Sequence, residues 1–237
     1  MVVESLYRAL MALEQDIETL ALFTEPQRLR LFEQVQARRT STVNELAAGL
    51  GIGRSLVTFH LGKLIEAGFV EVAPPERPAA ARGRPSVRYR ITGRETVVSF
   101  PHRRYDLLAG VLLDGVADHL PGESAHTSAL RAARRRGRTL GHGFRDRRPV
   151  RTNAGRFARL ERLLSALGYA PHRRTDELLV RNCPFDKFRP TNTAEVCSLN
   201  QALSEGYLEG LGLDEHLRTE LRPCPGACCL VYRPLNA

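Results

Sequence analysis

Cysteine is missing from the first 182 residues of this 237-residue chain. All five, Cys183, Cys197, Cys224, Cys228 and Cys229, crowd into the last quarter. An odd number so unevenly placed argues against a disulfide framework, and points to a reducing cytoplasm. Long apolar runs are absent too. No stretch approaches the roughly 18 residues a membrane-spanning helix needs. The N-terminus "MVVESLYRALMALEQDIETL" is acidic and amphipathic, without the basic start or unbroken apolar core of a secretory signal. No P-loop, no G-x-G-x-x-G and no Ser/His/Asp set in a supporting context occurs. Nor is there a C-x-x-C or a partnered Cys/His motif, which disfavours a thiol oxidoreductase attached to another module. Lysine is scarce as well: of 35 basic residues only Lys63 and Lys187 are lysine. That bias fits a GC-rich coding sequence, so the position of the charge is more informative than the choice of arginine.

What is present is a net charge of +9 and a chain 43% hydrophobic and 26% charged, an ordinary globular composition. Residues 54–94 carry Arg54, Lys63, Arg77, Arg82, Arg84, Arg88, Arg90 and Arg94 against only Glu66, Glu71 and Glu76. Just before and within this basic segment the helix signals recur. "TEPQRLRLFEQVQAR" offers Thr24 as an N-cap and Pro26 in the first turn, with Leu29, Phe32 and Val35 on one face. "STVNELAAGLG" reads as a short helix capped by Ser41 or Thr42, with Glu45 completing a capping box and a stop at Gly49 or Gly51. After a "GIG" turn, "RSLVTFHLGKLIEAG" turns Val57, Leu61, Leu64 and Ile65 inward. Its other face carries Arg54, Ser55, Thr58 and Lys63, flanked by Phe59 and His60. "FVEVA" and "SVRYRIT" then read as two strands around the turn-rich "PPERPAAARGRP". Helix, short helix, turn, helix and basic hairpin is a winged helix-turn-helix arrangement.

Through "RSLVTFHLGKLIEAGFVE" and the "RGRP" wing, the chain resembles the ArsR-like winged-helix regulators over residues 24–94. Gly53 stands where such proteins usually have a Ser or Thr N-cap. The expectation is binding to double-stranded DNA. Ser55, Thr58 and His60, with Phe59 beside them, are expected at base edges, and Arg54 and Lys63 at phosphates. Arg82 and Arg84 are expected in a narrow minor groove. The bland alternative is a winged helix used for protein contacts. Residues 1–23 hold Leu6, Leu10, Leu13, Ile17 and Leu20 at heptad spacing. They form either a dimer seam or a face packed on the chain's own domain. The two-fold habit of DNA readers favours a homodimer on a pseudo-palindromic operator.

Residues 95–237 read as an α/β sensor domain, with helices packed on a small sheet, which makes the whole chain α+β. "YDLLAGVLLDGVADHL", "HTSALRAARRRGRTLGHGF" and "GRFARLERLLSALGYAP" are helices. The arginine run at 131–138 is either a solvated face or a second nucleic-acid site. "RTDELLVRNCPF" reads as a strand, and "TAEVCSLNQALSEGYLEGLGL" as a helix with Val196, Leu199, Leu203 and Tyr207 inward. "ACCLVYR" reads as a closing strand, whose alternation sends Cys228 and Cys229 to opposite faces, so that one site takes one of them. The pattern "NCPF…EVCSLN…PGAC" resembles the sensor domain of SufR-like regulators. That resemblance implies an iron–sulfur cluster, of the [4Fe-4S] type, on Cys183, Cys197 and Cys228. Cys224 stands as a possible fourth ligand, and Asn192 lies in a region where relatives often carry a histidine. Zinc, an organic ligand, or cysteines that pack as small hydrophobes remain the alternatives.

Overall fold

A computed structural model describes residues 17–74, 86–146, 148–222 and 228–235. They fall into two compact units, divided between Val98 and Ser99.

The first unit follows residue by residue from its local signals. A helical stretch at 17–23 ends where the Thr24 hydroxyl donates to Ala21 O. Helix α1 (Pro26–Ala37) starts with proline in its first turn, but its N-cap is Glu25, whose carboxylate accepts from the Gln27 amide; Thr24 closes the preceding turn instead. Leu31 and Val35 are fully buried, Phe32 is half-buried and Leu29 is exposed. Leu29 sits roughly 200° round the helix from Leu31, so both cannot face the core. Strand β1 (Ser41–Thr42) leads into α2 (Val43–Leu50). There the Thr42–Glu45 capping box is complete in both directions, and Gly51 caps the end with φ +67°. Helix α3 (Arg54–Glu66) follows, then β2 (Val70–Val72) and β3 (Arg88–Ile91). The strands form an antiparallel sheet in the order β1-β3-β2, with Val70 opposite Ile91 and Val72 opposite Tyr89. Phe23, Phe32 and Phe69 meet edge to face over the core of Leu31, Leu46, Val57, Leu61 and Leu64.

The second unit contains α4 (Tyr105–Ala117), α5 (Ala125–Gly143), α6 (Asn153–Ala166) and α7 (Thr193–Leu211). Its strands β4 (Pro171–Arg173), β5 (Leu178–Val180), β6 (Leu217–Leu221) and β7 (Leu230–Pro234) form an antiparallel sheet in the order β4-β5-β7-β6. Val196, Leu199, Leu203 and Tyr207 all turn inward from α7, as their spacing predicts. Helices α5 and α7 touch backbone to backbone. A Cβ on Gly137 would lie 2.2 Å from Leu203 O, and one on Gly206 would lie 2.1 Å from Arg134 O. Gly141 and Gly210 repeat the contact one turn on.

The arginine run on α5 straddles this seam. Arg134 pairs with Glu205 and Glu209, and Arg138 with Glu209 at 2.7 Å. On the other flank Arg135 meets Asp118 at 2.5 Å and Arg136 meets Asp114 at 2.8 Å. Arg131 bonds Glu123 and holds its carboxyl at about 2, far below the usual range. The run is therefore an ion-paired face. No described helix is long and apolar enough to cross a membrane.

Gly206→Ala should force α5 and α7 apart and destabilise the protein by about 3 kcal/mol in urea unfolding. Gly62→Ala, whose Cβ meets nothing within 4 Å, should instead stabilise by about 0.5–1 kcal/mol, because alanine is the better helix former.

Candidate nucleic-acid interface and cysteine cluster

Helix α3 presents Arg54, Ser55, Thr58, Phe59 and Lys63 to solvent, Phe59 with 56% of its surface exposed. The Thr58 hydroxyl donates to Arg54 O on its own helix at 3.0 Å, and Lys63 is paired with Glu66 at 2.9 Å. The helix begins at Gly53 with no side-chain cap, as the glycine implies.

His60 departs from expectation. It is 4% exposed and lines the inner face with Val57, Leu61 and Leu64, so it does not join Ser55 and Thr58 on the outer one. Its 3-1-3 spacing with those three residues places it there, and Ile65, expected inside, is exposed instead. Burial first, and then the Arg28 charge, lower the His60 pKa, while Glu25 opposes them.

Several of the basic side chains of 54–94 are engaged within the unit. Arg88 donates to Thr40 and reaches Glu45, Arg90 pairs with Glu71 across the hairpin at 2.6 Å, and Arg94 stacks on Phe69. Arg54 is left outward on α3. Arg82 and Arg84, expected at the wing tip, lie outside the described residues, as do Leu6, Leu10, Leu13 and Cys224.

A family model described as a helix-turn-helix domain matches residues 23–73. The chain thus carries a helix-turn-helix domain at residues 23–73, which supports a DNA-binding transcriptional regulator. No curated protein and no solved structure matches the chain.

The second unit of this regulator gathers its cysteines. Cys183 follows β5, Cys197 stands on α7, and Cys228 and Cys229 precede β7; all four are free thiols. The alternation expected of Cys228 and Cys229 does not apply, because the strand starts only at Leu230. Both are buried, and both turn into the group: Cys228 stands beside Cys183, and Cys229 beside Cys197. The Cys228 thiol, facing Cys183, lowers the Cys183 pKa and has its own raised in turn. Burial first, then Cys229, pushes the Cys197 thiol up to about 11. Among the described residues no three His, Cys, Asp or Glu side chains stand in metal-ligating geometry; the thiols form two pairs.

Residues that sequence reading missed hold this arrangement. Arg103 donates to Asn182 Oδ1 at 2.6 Å and to Cys183 O at 2.7 Å. Asn182 in turn donates to His102 O and Gly168 O. The Tyr169 hydroxyl donates to Asn200 Oδ1, whose amide reaches Cys228 Sγ at 3.5 Å. Asn200 was detectable, being one turn from Cys197 on the same face of a helix. Arg189, bonded to Asp186, is the cation whose field reaches both Cys183 and Cys229.

The buried histidine gives a pH test. Its folded pKa lies below the ordinary 6.5, so on acidification the unfolded chain takes up the proton first. His60 therefore favours folding fully above about pH 6.5, and that contribution is lost as the pH falls through the folded value. His60→Gln should flatten this acid limb of stability for the first unit, followed by circular dichroism against pH.

Proposed function

We propose that the protein is a homodimeric repressor whose hold on a pseudo-palindromic operator depends on an iron–sulfur cluster bound by Cys183, Cys197 and Cys228. The observation that carries the sensing half is the convergence of four free thiols from a loop, a helix and a pre-strand segment. The donor set fits such a group chemically. It is all soft sulfur, and Arg189 is placed to offset the charge the thiolates acquire on losing their protons. Cys229 supplies a fourth thiol within the described residues. Bound there, a [4Fe-4S] cluster supplies oxygen-labile one-electron chemistry. The cysteines themselves tie the end of β5, α7 and the approach to β7 together, so the packing of the unit depends on whether they are bridged. Zinc is the second reading. It is favoured by the thiols forming two pairs, the ligand count of a tetrahedral site.

The DNA-reading half rests on the outward face of α3. Thr58 and Ser55 are the side chains short enough to meet base edges, Arg54 is the phosphate contact, and Arg82 and Arg84 extend the reach into the minor groove. Dimerisation is supported by apolar residues left open on the chain. Ile17 and Leu20 are about half exposed, and α4 shows Leu113 and Val116 to solvent, the latter 77% exposed.

The Arg82→Ala/Arg84→Ala double variant should weaken binding to all DNA and flatten its salt dependence, each lost phosphate contact removing about 0.9 from the log–log slope. Thr58→Ala should instead relax sequence preference. Operator titrations at several salt concentrations separate the two, and an unchanged slope in the double variant counts against the wing.

Anaerobically purified protein should be brown and contain iron and sulfide. Serine at Cys183, Cys197 or Cys228 should abolish the visible absorbance, and Cys229→Ser should shorten its lifetime in air. A colourless preparation with stoichiometric zinc would replace the cluster by zinc. Absence of both would return the thiols to packing.

A further inference from the structure

Away from the cysteines, α5 and α7 both end at a cavity of about 630 Å³ in the second unit. Its polar wall carries Arg145, Arg148 and Arg159, and its apolar wall Val150, Leu211 and Leu213. Arg159 is 7% exposed, and its Nε has no hydrogen-bond partner; its Nη2 donates to Arg148 O at 2.6 Å. Arg162, on an adjoining hollow, acts on the same group. Of the carboxylates lining the two hollows, Glu161 is taken up by Arg173 at 2.8 Å, which leaves Asp146, accepting from the Arg148 amide at 3.1 Å.

The charges do not balance. Two helix C-termini bring together about one elementary negative charge, and Asp146 brings another. Arg145 lies against the α7 C-cap at Gly212, where the helix end meets part of its charge. Four guanidinium groups against that sum leave an excess of about two positive charges. No ion pair to Arg145, Arg148 or Arg162 forms among the described residues within 4.0 Å. A nine-tenths buried arginine with an unpaired Nε is costly unless something supplies the missing acceptor.

We propose that this cavity binds a small organic anion, a carboxylate or phosphate on an apolar body. The anionic group is held by Arg145, Arg148 and Arg159, and the body rests on Val150, Leu211 and Leu213. The volume lies within the range of small-molecule sites, and the mixed lining is of the kind such sites use. A fork of guanidinium donors suits either planar carboxylate or phosphate oxygens. The site uses neither the cysteines nor α3, so its test stands apart from theirs.

The test is calorimetric titration of the full-length protein at fixed ionic strength with phenyl phosphate, benzoate, benzyl alcohol and inorganic phosphate. Phenyl phosphate or benzoate should bind saturably, one per chain, and benzyl alcohol should not. Arg145→Gln and Arg148→Gln should each lower the affinity at least about tenfold, the loss expected for a charged hydrogen bond. Arg218→Gln, on β6 and paired with Glu220, should leave it unchanged. Arg159 is left intact because its bond to Arg148 O braces the wall. No binding of either organic acid at about 10 mM, or equal affinity in all three variants, overturns the proposal. Inorganic phosphate bound as tightly as phenyl phosphate overturns the apolar half of it.

Discussion

The distance between α5 and α7 governs the second unit, and that distance is set by four glycines. With no Cβ at 137, 141, 206 and 210, each backbone lies in the groove of the other. Small residues at a helix contact allow this approach, and any side chain there prevents it. Helix α7 carries Cys197 and Asn200 on one stretch and the packing residues Leu203 and Tyr207 beyond it, while its end helps to wall the arginine-lined cavity. Both candidate sites of the unit thus hang on one helix, whose position is fixed by backbone contact. The carboxylates of Glu205 and Glu209 then hold Arg134 and Arg138 across the same seam.

What the sequence made legible was mostly local. The Thr42–Glu45 box, the stop at Gly51, Pro26 in the first turn and the inward stripe of α7 are decided within four residues. Thr24 and Leu29 failed for a related reason. Two adjacent residues competed for one cap, and a stripe was started one turn position off. His60 was assigned by residue type over spacing, although the 57–60–61–64 interval already placed it inside. Strand β4 is only three residues long and begins with proline, whereas β6, Leu-Arg-Thr-Glu-Leu, does alternate and was a missed signal.

The cysteine group was legible as a set and illegible as a geometry. Cys183, Cys197 and Cys228 do come into one neighbourhood, but Cys229 comes with them because the segment before β7 is not yet extended strand. The support from Arg103, Asn182, Tyr169 and Asn200 depends on contacts between residues as much as 80 positions apart, such as Arg103 on Cys183 O. No local pattern encodes these. The glycine seam is likewise a property of two helices together, since G-x-x-x-G on either one alone has no stated partner.

The ion pairs along α5 bear on how this protein finds its target. A phosphate approaching Arg131, Arg134, Arg135, Arg136 or Arg138 must first displace a carboxylate already seated there. An arginine already paired with a carboxylate gains less from meeting a phosphate, and so displaces fewer of the counterions condensed on a duplex, the release that drives indiscriminate attachment. A chain so rich in arginine could have been adhesive over its whole surface. The α5 face therefore adds less to indiscriminate attachment than its count of arginines suggests.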